Sequence, residues 1–257
     1  MDPITVGGIV LAVCAVLGTA LLEGLHLHSL VSESSFVLIF FGTTGATIAC
    51  FTLRQVINTL KALPMLIKKA NMDVRLIIEA MNEISTMAKR DGLLSLENYK
   101  PKVDHPTLQQ GIRLMVDGTP PQLVKEILEM ESYLEEEEMK GYGAVFAAAG
   151  GFAPTYGIIG TVMGLVHVLG NLEDASSLGP AIAVAFLATL YGIGAANIFF
   201  LPMSKKFGTI AKEQTMVRDM IIEGILSIYN GETPTVVKLK MMSFIGRHER
   251  EAMKAGR

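Results

Sequence analysis

The sequence predicts an all-α membrane protein with four transmembrane helices and a helical cytoplasmic domain. Half of the 257 residues are hydrophobic, only 18% are charged, and the charged residues are missing from four long stretches. A soluble domain usually carries about 25% charged residues. The segments between these stretches show apolar residues at helical spacing and no alternating strand pattern.

The four uncharged stretches cover residues 3–22, 34–53, 142–172 and 175–204. Each reaches the length of about 20 residues that a helix needs to cross the hydrocarbon core of a bilayer. We therefore predict membrane spans at about 3–22, 34–53, 144–170 and 180–203. The first stretch follows Met1-Asp2 with no basic region and no small-residue cleavage site, so we expect a retained span rather than a signal peptide.

The basic residues predict the orientation of the chain in the membrane. All 22 Lys and Arg residues lie in 54–140 and 205–257, whereas the connectors at about 23–33 and 171–179 contain none. Lys and Arg are retained on the cytoplasmic side of a membrane. We therefore expect the long middle segment, the C-terminal tail and, by parity, the N-terminus to be cytoplasmic.

The uncharged stretches and the polar segments between them divide the chain into four parts. Residues 1–53 form a transmembrane hairpin and residues 54–143 form a helical cytoplasmic loop. Residues 144–204 form a second transmembrane hairpin, and residues 205–257 form a tail of cytoplasmic helices.

Two helices are predicted in the first part of the cytoplasmic loop. Their apolar residues at helical spacing are Val74, Ile77, Ile78, Met81, Ile84 and Ala88 for the first, and Leu108, Ile112 and Met115 for the second. The first closes with Lys89 and Arg90, whose charges favour a helix C-terminus, and with Gly92 as its C-cap. The second ends near Gly118.

A third cytoplasmic helix is predicted to begin at Thr119-Pro120-Pro121, since threonine favours the N-cap and proline the first turn. Its predicted apolar face consists of Leu123, Ile127, Met130 and Leu134, and we expect it to end in the acidic run 135–138. After the fourth span, a long helix continues with apolar residues Phe207, Ile210, Val217, Ile221 and Ile228. Gly231 and Pro234 end that helix, and a short helix covers about 235–245.

Spans three and four each carry a face of small residues. These residues are Pro154, Gly157, Thr161, Gly164 and Val168 in span three and Ala181, Ala185, Thr189, Gly192 and Ala196 in span four. A face of small residues lets another helix approach closely. Two interpretations remain open: spans three and four pack on each other, or the two faces line a channel that receives a partner helix.

Pro154, Thr161 and Thr189 favour the channel interpretation. A proline inside a helix leaves the carbonyl four residues earlier without its donor, and in a membrane that carbonyl needs water, protein or an ion. The hydroxyls of Thr161 and Thr189 can bind a cation. The alternative for each threonine is a hydrogen bond to its own helix, which is common.

The spans contain no Asp, Glu, Lys or Arg. Relays that move protons or sodium across a membrane usually need a carboxylate within it, so an ion conduit here needs an acid from another chain. His167 lies near the outer end of span three, and this position favours the role of a hydrogen-bonded histidine at the membrane boundary over that of a proton relay. No phosphate-binding loop, metalloprotease or serine-hydrolase motif is present, which argues against an enzyme, and the net charge of −3 argues against nucleic acid.

Four segments resemble the MotA/PomA family of flagellar stator subunits. Residues 153–167 resemble the third span of that family, 186–192 the fourth span, 200–202 its proline at the cytoplasmic end, and 88–97 its rotor-facing segment. The resemblance implies a ring of five subunits in the lipid of the bacterial plasma membrane. This ring surrounds two copies of a single-span partner, MotB or PomB, that supplies an aspartate, and the ring drives the rotor protein FliG.

The resemblance also implies roles for individual residues. Pro154, Phe186 and Pro202 correspond to positions tied to coupling. Lys89 or Arg90, together with Glu97, corresponds to the charged rotor contacts, and the choice between the two cations stays open because this segment is one residue shorter than in some relatives.

Pro154, Thr161 and Thr189 are predicted to line the ion pathway, and the two threonines to ligate sodium transiently, with no cofactor besides the transported ion. Sodium-type relatives carry threonine at the position of Thr161, which favours Na⁺ over H⁺. The alternatives are a proton-driven stator or an ExbB/TolQ-type energiser. The second usually has three spans, so the hairpin of the first two spans favours the stator. A secondary transporter, a further alternative, would normally carry an intramembrane charge or broken helices in matched halves, and neither feature is visible in this sequence.

Overall fold

The computed structural model describes residues 3–67, 74–173, 175–247 and 250–251, and these residues contain helices and no strand. Residues 68–73 of the predicted cytoplasmic loop, residue 174 of the predicted second connector and the end of the predicted tail lie outside the described residues. The nine α-helices of the described part are α1 Pro3–Leu22, α2 Glu33–Cys50, α3 Leu53–Ile67, α4 Val74–Asp91, α5 Pro106–Val116, α6 Pro121–Gly170, α7 Ala175–Gly194, α8 Leu201–Tyr229 and α9 Pro234–Met242. Shorter 3₁₀ segments occupy Leu27–Leu30 and Leu93–Asn98, and a π-helical segment occupies Ala195–Phe200.

The chain forms two compact units. The span unit comprises residues 1–70 and 139–209, and the charged unit comprises residues 71–138 and 210–257. Helix α3 therefore groups with the spans, whereas the sequence-based division placed it at the start of the cytoplasmic loop.

Four helices in the described residues are long and apolar enough to cross a membrane, as the sequence predicts. The second of them ends at Cys50, before the predicted end at residue 53, because α3 starts a new helix there. Thr52 and Gln55 form a capping box, in which each backbone N–H donates to the other's side chain at 3.0 and 3.3 Å. These bonds satisfy donors at the start of α3 and fix the break between the two helices.

The core of the charged unit consists of large aliphatic and methionine side chains from five helices. Its fully buried members include Ile77, Met81 and Ile84 of α4, Leu108 of α5, Leu128 of α6, Ile221 and Ile225 of α8, and Met241 of α9. The helices predicted here at about 74–90, 108–118 and 235–245 are confirmed as α4, α5 and α9. Gly92, Gly118 and Gly231 follow helix ends with φ of 83°, 69° and 73°, a conformation that glycine adopts without steric cost.

Two expectations about α6 are wrong. The acidic run 135–138 does not end the helix, which continues for 50 residues to Gly170. Neighbouring like charges destabilise a helix by only tenths of a kcal/mol, so they do not outweigh the continued backbone hydrogen bonding.

The predicted apolar face of α6 is also displaced by one residue. Leu123, Met130 and Leu134 are exposed, while Val124 and Leu128 are buried. The buried side continues through the polar residue Ser132, which contacts the Arg218 guanidinium, so apolar periodicity alone identified the wrong face.

Candidate functional site

The small-residue faces of α6 and α7 pack on each other. A Cβ atom added to Gly157 would lie 3.0 Å from the Ala188 carbonyl oxygen and 3.1 Å from the Thr189 Cα. A Cβ on Gly192 would meet the backbone of Ala153 and Gly157 in the same way. For the glycines, the interpretation that spans three and four pack on each other therefore holds, because these residues bring the two backbones into direct contact.

Thr161 and Thr189 meet across this seam between α6 and α7. Their hydroxyls are hydrogen-bonded to each other, and Thr161 Oγ1 also lies 3.0 Å from the Ala185 carbonyl oxygen and 3.1 Å from that of Gly157. Both threonine residues are only partly buried. This arrangement places two hydroxyl and two carbonyl oxygens close together at the edge of the seam. It includes the hydrogen bond from Thr161 to a carbonyl of its own helix, at Gly157, which was the alternative role for this threonine.

Pro154 lies inside α6 two turns before Thr161 and is partly buried. Its missing N–H removes the helical donor to the Gly150 carbonyl oxygen. Gly150 itself packs closely on Leu201, since an added Cβ would lie 2.7 Å from the Leu201 side chain. The proline therefore marks a weak point in the backbone hydrogen bonding of span three.

The π-helical segment before Pro202 could not be predicted from apolar spacing. Ala195–Phe200 form this wider turn, and the Leu201 N–H donates to the Ala196 carbonyl oxygen five residues earlier. Pro202 has no N–H and its ring needs space near the carbonyl four residues before it, which a wider turn provides. The only advance signal was the proline itself, two residues beyond the segment.

Tyr191 attaches α7 to the connector between the first two spans. Its hydroxyl donates to the Leu30 carbonyl oxygen at 2.5 Å and accepts from the Ser32 N–H at 3.1 Å. The Ser35 hydroxyl adds a bond of 3.3 Å to the Val184 carbonyl oxygen. Sequence reasoning did not single out these residues, although a tyrosine next to Gly192 in an apolar span was a possible signal.

The other predicted residues do not join the threonine pair. Phe186 is 63% exposed on α7, and Pro202 is exposed at the start of α8. His167 is exposed near the end of α6, and its carbonyl oxygen accepts from the Asn171 amide at 2.8 Å. Among the described residues, no cluster of three or more His, Cys, Asp or Glu side chains could hold a metal ion.

Lys89, Arg90 and Glu97 lie on the surface of the charged unit. Lys89 and Arg90 are exposed in the last turn of α4, and Glu97 is exposed in the 3₁₀ segment that follows. The Arg90 guanidinium donates to the Asp91 carboxylate at 2.7 and 3.0 Å, which lowers the pKa of Asp91 and raises that of Arg90. Lys89 and Arg90 thus differ in their surroundings, because the Arg90 guanidinium forms an ion pair with the neighbouring Asp91.

Comparison with known proteins gives a family and close structural relatives. A family model described as the MotA/TolQ/ExbB proton channel family matches residues 100–220. Motility protein A of Borreliella burgdorferi is 39% identical over 69% of this chain and 68% of that protein. Chemotaxis protein PomA of Vibrio alginolyticus is 31% identical over 97% of this chain and 98% of that protein. The chain belongs to the MotA/PomA family.

A solved MotA structure has the same fold. The flagellar MotAB stator complex from Bacillus subtilis contains a chain that matches with a TM-score of 0.90 and 29% identity, over 95% of this chain and 97% of that chain. Together with the four apolar helices, MotA/PomA membership identifies a stator subunit of the flagellar motor, located in the inner membrane.

The MotA/PomA assignment bears on the absence of charged residues from the predicted spans. The B. subtilis complex contains a MotB subunit beside MotA, as its name states. The spans of the present chain have hydroxyl and carbonyl oxygens at the α6–α7 seam but no carboxylate.

Proposed function

We propose that this protein is the pathway-forming subunit of a sodium-driven stator, which converts cation flow into torque on the flagellar rotor. The observation that carries the proposal is the oxygen cluster formed by Thr161 and Thr189 with the carbonyls of Gly157 and Ala185. It lies on the two spans that pack through small residues, and these spans have no acid of their own.

The cluster has oxygen lone pairs available for a cation. When the Thr161 hydroxyl donates to the Ala185 carbonyl and Thr189 donates to Thr161, both hydroxyl oxygens keep lone pairs for an incoming ion. Sodium prefers oxygen ligands, whereas a proton carried by a carboxylate needs no such cluster. Half-burial leaves the two hydroxyls within reach of a partner helix and of water.

A MotB/PomB-type single-span subunit completes this pathway in the proposal. Its membrane carboxylate binds the cation beside Thr161 and neutralises its charge, which would otherwise be costly within a bilayer. Two copies of this subunit lie within a ring of five copies of the present chain. Ion passage past the carboxylate then drives the ring around the partner, with Pro154, Phe186 and Pro202 on the elements that change conformation.

The charged unit contacts the rotor protein FliG in this proposal. Lys89 and Glu97 are exposed for an electrostatic contact, and Arg90 contributes after exchanging Asp91 for an acidic group of FliG. This contact requires the charged unit and both termini to be cytoplasmic, which is the orientation that the basic residues favour.

A proton-driven stator is the second candidate, and two observations favour it. The matching family model is described as a proton channel family. In addition, the Thr161 hydroxyl is already hydrogen-bonded within the protein, so packing alone accounts for part of its role.

Swimming speed as a function of sodium concentration separates the two candidates. We expect wild-type speed to depend on sodium, and Thr161→Val to raise the sodium concentration for half-maximal speed by about tenfold or more, because a hydrogen-bonding group facing a charge contributes about 1.5–3 kcal/mol. Thr161→Ser keeps the hydroxyl and should retain most of the sodium response. The matched control is Thr47→Val, which removes a buried hydroxyl of α2 that bonds its own helix at 2.7 Å.

Unchanged wild-type speed in sodium-free buffer, together with loss of motility when the proton gradient is collapsed, would reject sodium and establish the proton-driven candidate. Loss of speed in Thr47→Val equal to that in Thr161→Val would assign the Thr161 hydroxyl a packing role only.

A further inference from the structure

The charged unit contains a cavity of about 450 Å³ that neither the ion pathway nor the predicted rotor contact uses. Its wall includes the side chains of Arg218, Lys102, His105, Asp104 and Glu135, with the start of α5 beside them. Small-molecule sites in proteins commonly have volumes of about 300–1,000 Å³. The cavity is therefore large enough for a small ligand, and its chemistry is set by the charged groups around it.

Arg218 is the principal group of this cavity. Its side chain is 4% exposed, and its guanidinium donates to Glu135 Oε2 at 2.6 Å and to the hydroxyls of Ser132 and Thr215 at 3.3 Å each. A guanidinium has five N–H donors, so two long bonds to neutral hydroxyls and one to a carboxylate leave part of its capacity unused. A buried charge is normally held by a well-ordered counter-charge.

Glu135 is an unusual counter-charge for a buried arginine. Its side chain is 56% exposed, and it lies in the acidic run at 135–138 of α6. Because the Glu135 carboxylate is half-exposed, water can solvate it after it leaves the guanidinium, and another anion can then take its place as the counter-charge. The two oxygens of a carboxylate or phosphate match the planar fork of arginine.

His105 and the N-terminus of α5 add hydrogen-bonding groups to the wall of the cavity. His105 is buried, and its Nδ1 has no hydrogen-bond partner among the described residues. Burial lowers the pKa of His105, and the charge of Arg218 lowers it further against the opposing effect of Asp104, so the neutral imidazole is favoured. Pro106, the first residue of α5, has no N–H, and Thr107 follows it at the cavity wall, where the N–H groups of a first helical turn favour an anion.

The side chains that line the cavity include two acids, Asp104 and Glu135, and two cations, Lys102 and Arg218. Asp104 is engaged with α5, where its Oδ1 accepts from the Gln109 amide at 2.7 Å. Lys102 pairs with Glu83 at 2.8 Å. When Glu135 rotates away, the largely buried Arg218 guanidinium therefore loses the carboxylate that pairs with it.

We propose that this cavity is a binding site for a small oxyanion, of the phosphate or carboxylate class, which replaces Glu135 on the Arg218 guanidinium. Occupation breaks the ionic bond between Glu135 of α6 and Arg218 of α8. Both helices continue beyond the charged unit as the helices that carry Pro154 and Pro202. A cytoplasmic anion therefore has a defined place at which to act on them.

Binding of inorganic phosphate and of succinate to the purified full-length protein, in complex with its single-span partner, tests the proposal by calorimetric titration in chloride buffer at neutral pH. We expect saturable binding of at least one probe, and the preferred probe identifies the class of anion. Glu135→Gln should tighten binding by about fivefold or more, because it removes the competing carboxylate. Arg218→Gln should abolish it, whereas Arg113→Gln, which alters an exposed arginine of α5 outside this cavity, should bind as wild type does.

Glu135→Gln keeps the test valid even when Arg218→Gln does not fold, since it predicts a gain in affinity that simple damage does not produce. The proposal is overturned by the absence of saturable binding of both probes at millimolar concentration. Unchanged or weaker binding in Glu135→Gln, or an equal loss in Arg113→Gln, would overturn it as well.

Discussion

The charged unit and the α6–α7 seam are both helical, but different contacts hold them together. Ile77, Met81, Leu108 and Ile225 fill the centre of the charged unit with large side chains, each no more than 1% exposed. At the seam, glycine and alanine place one helix backbone directly on the other. Ion pairs surround the first region, whereas the second contains no charged residue.

This difference reflects the solvent of each region. Water drives large apolar side chains together, at about 25 cal/mol for each Å² buried. Lipid is as apolar as leucine, so helices in a membrane associate through close backbone packing and hydrogen bonds instead. The two regions should therefore respond in opposite ways to changes in side-chain volume: loss of volume should damage the charged unit, and added volume should damage the seam.

The largest expected effect is the loss of volume in the charged unit. Ile225→Ala removes three carbons from a fully buried position of α8 and should lower the free energy of unfolding by about 2–5 kcal/mol. Thermal unfolding of the purified protein in detergent, followed by circular dichroism, measures this loss. Leu239→Ala, at a position 64% exposed on α9, is the control and should change the midpoint little. Equal losses in the two variants would contradict a core held by buried side chains.

Added volume at the seam should have the next largest effect. An alanine Cβ at position 192 would overlap the backbone of Ala153 and lie 3.1 Å from the Gly157 Cα, and backbone atoms cannot rotate away. Gly192→Ala should therefore cost about 1–3 kcal/mol of stability and separate Thr161 from Thr189, with loss of motility. Gly194→Ala, where nothing lies within 4 Å of the added atom, should keep motility. Normal swimming with Gly192→Ala would contradict the prediction that motility requires close packing of α6 on α7 at this position.

The same contrast explains which features the sequence could predict. The presence of four apolar helices long enough to cross a membrane, the small-residue faces and the glycines after α4, α5 and α8 all follow from local rules, and the described residues confirm them. The contact between Thr161 and Thr189 could be expected in outline, because both residues belong to small-residue faces.

Features that depend on distant contacts could not be predicted in this way. The buried face of α6 contains Ser132 because Arg218 lies against it, and nothing near Ser132 in the sequence indicates that arginine. The wider turn at Ala195–Phe200 has an ordinary apolar sequence, and only Pro202 beyond it hints at altered hydrogen bonding. Long-range packing and local changes in backbone hydrogen bonding thus set the limits of what the sequence can predict.

A glycine-to-alanine change in the charged unit sharpens the comparison with Gly192. An added Cβ at Gly224 of α8 meets the tip of Met81 and, at 3.1 Å, the Met241 sulfur. Methionine tips can rotate away, and alanine favours a helix over glycine by about 1 kcal/mol. Gly224→Ala should therefore change the unfolding free energy by less than about 1 kcal/mol in either direction. A loss as large as that of Gly192→Ala would mean that methionine packing is as rigid as backbone contact.

Acid should weaken the charged unit selectively, with the smallest effect of the four. Hydrogen bonds from Lys102 and then from Tyr99 lower the pKa of Glu83 below its ordinary value of 4.5. A carboxyl whose pKa is lower in the folded state stabilises that state above the unfolded pKa, and this contribution is lost as pH falls through the folded value. Glu83→Gln should therefore reduce the fall in unfolding midpoint between about pH 6 and about pH 4. Glu213→Gln, an exposed glutamate of α8, is the matched control, and an equal reduction in both variants would assign the effect to net charge instead of the bonds to Lys102 and Tyr99.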